Sequence, residues 1–170
     1  MSELAITVIG HDRPGIVADV AEALAGLGAN LTDSTMTRLR GHFTMTLICV
    51  GPGPIEVERA LAPYCADGRL LATVREVRPG AAGEPVGEPY VLSVHGADRL
   101  GIVAAITRVV ARAGGNITDL TTRLSGPLYL LLAEVDLPPA AADELSSALT
   151  QVATDLDVDV TLRRSVSDVL

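Results

Sequence analysis

The residues best suited to chemistry sit in two short loops. Asp12-Arg13-Pro14-Gly15-Ile16 and Asp98-Arg99-Leu100-Gly101-Ile102 each lead into a run with helical apolar spacing. A helix start presents unpaired backbone N–H groups and the positive end of the helix dipole, which together favour an anion such as a carboxylate. Gly15 and Gly101 bring bare backbone to that point, so a ligand can approach closely. Arg13 and Arg99 either pair with that carboxylate or lie along the surface. Asp12 and Asp98 are expected to cap the helix by accepting from its free N–H groups. A second pair of segments is Gly28-Ala29-Asn30-Leu31-Thr32-Asp33 and Gly114-Gly115-Asn116-Ile117-Thr118-Asp119. Here Gly supplies the left-handed residue that ends a helix, and Asn30 or Asn116 offers both a donor and an acceptor. Turn geometry alone selects the same residue types, so these segments are candidates for structure as well as for binding.

The elements that position these loops come from an internal repeat. DRPGIVADVAEALAGLGANLTD from Asp12 and DRLGIVAAITRVVARAGGNITD from Asp98 are identical at about half of their positions, and MTRLRG ending at Gly41 parallels TTRLSG ending at Gly126 after a one-residue slip. PGAAGEPVGEP separates the copies and has the composition of a linker. The expected division is a first domain over 1–78, a linker over 79–88, a second domain over 89–165 and a tail over 166–170.

Each half shows the same order of patterns. Leu4 to Ile9 is a short β-branched run, hence a strand. Ile16, Val17, Val20, Leu24 and Leu27 recur at helical spacing, with Gly28 placed to stop the helix. Asn30 to Leu39 and His42 to Val50 read as a hairpin around Arg40-Gly41. Pro54 to Ala66 reads as a helix with Pro in its first turn, and Arg69 to Val77 as a last strand. The second half gives strands over Tyr90–His95, Asn116–Leu124, Leu128–Asp136 and Asp157–Arg164, with helices over Gly101–Ala113 and Pro139–Thr154. The order βαββαβ, twice, predicts an α+β protein of two ferredoxin-like domains. Each has a four-stranded antiparallel sheet with two helices on one face.

Strand, D-R-x-G-I-V, amphipathic helix, G-[AG]-N-[LI]-T-D, hairpin, helix and strand together resemble the ACT domain, present twice and covering nearly the whole chain. The resemblance implies a regulatory module that binds a small molecule, mostly an amino acid, at an interface between paired domains. Carried over residue by residue, it implies ligand-binding roles for Asp12, Arg13, Gly15, Ile16 and Asn30 in the first repeat. In the second it implies them for Asp98, Arg99, Gly101, Ile102 and Asn116. A stand-alone tandem pair is similar to the glycine cleavage system transcriptional repressor group, which acts through a partner rather than by reading DNA itself. The reading is therefore a regulator and not an enzyme. It senses a small amino acid, glycine or serine, works through a regulatory protein partner, and pairs its ACT domains within the chain or in a homodimer. The alternative is a scaffold of the same fold that binds proteins and no ligand. The repeats differ where Pro14 becomes Leu100 and His11 becomes Ala97, so the two sites are expected to be unequal.

Composition excludes other classes. Thirteen basic against 21 acidic side chains give a net charge of −8 and a pI near 4.7, which disfavours direct nucleic-acid binding. Four aromatic residues, Phe43, Tyr64, Tyr90 and Tyr129, leave few faces for stacking bases or sugars. His11, His42 and His95 lack metal-ligand spacing, and Cys49 and Cys65 are too few and too far apart for a zinc site or a disulfide framework. Both thiols are expected to be reduced and buried, with no cofactor and no metal. The ferredoxin-like plan also carries acylphosphatases, heavy-metal carriers and RNA-recognition domains. The V-Q-G-V-x-F-R loop, the C-x-x-C and the strand aromatics that those need are missing. Glu134 interrupts the longest apolar run, Leu128 to Val135, and the expected location is the cytoplasm.

Overall fold

The computed structural model describes residues 2–78 and 87–165. The expected tail and all but Gly87 and Glu88 of the expected linker lie outside the described residues. The chain divides into two compact units, Met1–Ala82 and Gly83–Leu170. The first runs β1 (Ser2–His11), α1 (Ile16–Ala25), β2 (Asn30–Leu39), β3 (His42–Gly51), α2 (Pro54–Cys65) and β4 (Leu70–Val77). The second runs β5 (Glu88–Ala97), α3 (Ile102–Arg112), β6 (Asn116–Ser125), β7 (Leu128–Leu137), α4 (Ala142–Leu156) and β8 (Val158–Arg164). Sheet orders are β2-β3-β1-β4 and β6-β7-β5-β8, antiparallel throughout, which is the ferredoxin-like plan expected from the element order.

Alternation fixes which face of each sheet is buried. Leu4, Ile6 and Val8 on β1 and Phe43, Met45, Leu47 and Cys49 on β3 share a core with Ile16, Val20 and Leu24 of α1 and Val57 and Leu61 of α2. In the second unit Leu92, Val94, Leu131, Ala133, Val135 and Leu137 meet Ile102, Ile106 and Val110 of α3 and Leu145 and Leu149 of α4. No polar or charged side chain is buried among the described residues. On β7, Leu128, Leu130 and Leu132 alternate with the buried residues and stay exposed.

Several boundaries differ from the sequence reading for identifiable reasons. Helix α4 begins at Ala142 rather than Pro139. Ala140 holds a left-handed φ of 67° and Ala141 N donates to Pro138 O at 3.1 Å, a turn that precedes the helix. Asp157 is not the first residue of β8; with φ 53° it is the left-handed residue that ends α4. Helix α1 ends at Ala25, and Gly28 closes the exit turn with its N–H on Ala25 O at 2.9 Å. The structure removes the one-residue slip read from the sequence: the repeats keep an offset of 86 residues through the hairpin. Leu39 pairs with His42 around Arg40-Gly41, and Ser125 with Leu128 around Gly126-Pro127. Gly41 is therefore the second turn residue and Gly126 the first.

Cys49 is fully buried on β3, and burial pushes its thiol pKa up. Cys65, at the end of α2, is only half-buried, contrary to the expectation of two buried thiols. A thiol-reactive dye at neutral pH is therefore expected to label Cys65 in the folded chain and to label Cys49 only after denaturant is added. Equal labelling of both in the native protein would contradict this placement.

Candidate functional site

The loop from β1 to α1 is built around one backbone conformation. Gly15 holds φ 85° and Gly101 holds φ 90°, and each is the residue immediately before its helix. An L residue pays a steric penalty there that glycine escapes. The turn drops Ile16 and Ile102 directly into the cores, at 3% and 2% exposure. Those isoleucines are consequently anchors, and only their backbone can reach a ligand. Neither helix has a side-chain cap at its N-terminus, so the first amides remain available to an acceptor.

Asp12 is not the cap that the sequence suggested. The left-handed glycine starts the helix three residues further on. The Asp12 carboxylate instead accepts from Arg38 Nη1 of β2 at 3.3 Å, while Asp12 N donates to Gly41 O at 3.0 Å. Asp12 thus ties the loop to the β2–β3 hairpin. Asp98, which the repeat places at the same point, does not cap α3 either. Arg13 donates to Asp19 in the first turn of α1 and to Pro14 O at 3.3 Å. Arg99 reaches elsewhere, from Nη2 to the Asp157 carboxylate at 2.7 Å, at the turn between α4 and β8. Leu100, in the place of Pro14, is completely exposed.

Asn30 and Asn116 are exposed at the first positions of β2 and β6. They lie at the far end of the helix from the glycine loop, about 15 Å away over a ten-residue helix. Within one unit the two candidate sets do not meet. The Thr of each motif has a structural task that sequence reasoning missed. Register shifts between Leu31 and Asp33 and between Ile117 and Asp119, leaving Thr32 and Thr118 in bulges. The Oγ1 of Thr32 donates to Ile48 O and that of Thr118 to Glu134 O, both at 3.4 Å. The retained Leu/Ile-Thr-Asp in both repeats was the available signal.

One cleft draws on the predicted residues. In the first unit, a space of about 300 Å³ is lined by His11, Asp12 and Arg13 from the loop, and by Tyr64, Asp67 and Arg69 from the end of α2 and the start of β4. Tyr64, Asp67 and Arg69 carried no signal in the sequence, because their place beside the loop follows from β1 pairing with β4, Gly10 opposite Leu70. Among the described residues, no group of three metal-ligating side chains forms, and no helix is long and apolar enough to cross a membrane.

Comparison with known proteins agrees with this architecture. A family model for the ACT domain matches residues 2–63 and 88–163, one match in each unit. The chain belongs to the ACT domain family. Among solved structures, an unknown protein from Galdieria sulphuraria is 31% identical with a TM-score of 0.82, over 97% of this chain and 99% of that one. A protein described as a candidate glycine cleavage system transcriptional repressor is 21% identical with a TM-score of 0.70, covering 95% of this chain and 96% of its own, and shares the tandem ACT fold. Among curated proteins, the phosphoserine phosphatase SerB2 of Mycobacterium tuberculosis is 29% identical over 164 residues, 91% of this chain and 39% of that enzyme. A UPF0237 protein of Listeria monocytogenes is 48% identical over 44 residues, 26% of this chain and 49% of its own. The matched part thus spans less than half the length of these two curated relatives.

A Cβ built on Gly15 meets nothing within 4 Å, so backbone strain alone sets the cost of a substitution there. Gly15→Ala is expected to lower unfolding stability by about 1–2 kcal/mol, measured as a urea midpoint. Gly15→Asn, which tolerates the left-handed region better, is expected to cost less. Equal stability of the alanine variant and the natural chain would contradict the assigned turn.

Proposed function

We propose that this chain is a regulator that binds a small amino acid, glycine or serine, at the loops before its first-repeat and second-repeat helices and controls metabolism or transcription through a protein partner in the cytoplasm. The observation that carries this reading is the pair of uncapped helix starts, each preceded by a left-handed glycine, in an ACT protein. Free amides at a helix dipole suit the carboxylate of an amino acid. The ammonium is met by backbone carbonyls or by Asn30 or Asn116 of a paired ACT domain, from the same chain or from a second copy. Ligand binding changes the partner surface by favouring one arrangement of paired domains over another.

A second reading has its own support. β2 is an edge strand whose side chains are exposed at nine of its ten positions, and a free edge can accept a strand from another protein. On that reading the chain is a ligand-free scaffold.

A thermal-shift screen of the purified chain against the twenty amino acids separates the two. An amino acid at about 100 times its Kd should stabilise the binding unit by about 2.7 kcal/mol, a clear rise in melting temperature. No saturable shift from any amino acid would overturn the sensor reading in favour of the scaffold.

A further inference from the structure

The histidines lack metal-ligand spacing along the sequence, but the fold brings two of them together. His11 is the last residue of β1 and His42 the first of β3, and they are partners in the antiparallel register. Asp12 N donates to Gly41 O at 3.0 Å, so the next rung is a hydrogen-bonded pair. The amide of His11 points away from β3, to Arg69 O at 3.2 Å. His11 and His42 therefore form a non-hydrogen-bonded pair. There the strands approach most closely, about 4.5 Å between Cα atoms, and facing side chains meet. The two ring centroids are 5.3 Å apart, with planes inclined by 31°.

That spacing suits a shared metal ion. A zinc ion sits about 2.0–2.1 Å from an imidazole nitrogen, hence about 3.2 Å from the ring centre, and two rings at a tetrahedral angle then stand about 5.2 Å apart. Both residues are exposed, which leaves water to complete the coordination. Among the described residues, no hydrogen bond or ion pair occupies either imidazole, whereas His95 has Nε2 3.4 Å from the Asp159 carboxylate. Arg13, Arg38 and Arg69 on the neighbouring segments are each paired with an aspartate, which lowers their repulsion of a cation. Arg40, in the hairpin turn, is the remaining cation there. The fold itself does not demand two histidines at this rung, because the second unit has Ala97 opposite Leu128.

We propose that His11 and His42 together bind one divalent transition-metal ion of the Zn²⁺, Ni²⁺ and Cu²⁺ class, in the first unit only. Neutral imidazole nitrogens suit these ions, whereas Mg²⁺ and Ca²⁺ need oxygen donors. The bound ion clamps the end of β1 to the start of β3, beside the tie that Asp12 makes to Arg38. The site is independent of the amino-acid reading and does not use the glycine turn.

The test is a titration of the tag-free full chain with Zn²⁺, read by calorimetry and by the imidazole proton signals of the three histidines. The expected result is saturable binding of a single ion per chain. The His11 and His42 signals move together, His95 stays in place, and Mg²⁺ moves none of them. His11→Ala and His42→Leu each copy the residue of the second unit and are expected to fold, with an unchanged circular dichroism spectrum. Each is expected to weaken Zn²⁺ binding at least about tenfold, the loss that removal of even an outer partner of a metal ligand causes. The rise in melting temperature with Zn²⁺ should be lost in both variants, while His95→Ala keeps the affinity of the natural chain. Undiminished binding in both variants, movement of His95 or of only one of the paired rings, or no saturable binding at millimolar Zn²⁺ would each overturn the site.

Discussion

Each unit depends on one short crossing, from the end of its central strand into its first helix. β1 is hydrogen-bonded on both sides, to β3 and to β4, and its direction cannot bend to suit the helix. The chain must nevertheless leave the sheet at His11 and bury Ile16 five residues later. Gly15 in the left-handed region makes that possible, and Gly101 does the same between β5 and Ile102. The same conformation leaves the helix start without a side-chain cap. A folding requirement and a binding opportunity therefore fall on one residue, which is why neither repeat has exchanged its glycine.

Most of the architecture was legible because alternation and helical spacing are strong and occur twice. β2, predicted over Asn30–Leu39, was found over the same residues, and β6 differs from its prediction by Ser125 alone. The misses came from backbone conformations that composition does not announce. Ala140 and Asp157 adopt left-handed φ without being glycine, which moved the start of α4 and of β8. Thr32 and Thr118 looked like parts of a binding motif and prove to sit in paired bulges, bonded to the neighbouring strand.

The candidate site was only half legible. The loop residues stand out because they repeat. The opposite wall, Tyr64, Asp67 and Arg69, comes from more than fifty residues away and does not repeat. The role of Asp12 was misread because a cap is a local inference, whereas its partner Arg38 lies across the sheet. The divergence of the repeats is electrostatic rather than architectural. Exchanging Asp19 and Arg69 for Ala105 and Asp157 preserves the fold and redirects the loop arginine: Arg13 pairs with Asp19 on its own helix, and Arg99 with Asp157 at the turn before β8.

Direct binding tests this account most simply. Isothermal titration of the chain with glycine or L-serine should give a saturable isotherm that is lost when Gly15 and Gly101 are both replaced by Val. An isotherm with no heat for any amino acid would contradict the sensor itself.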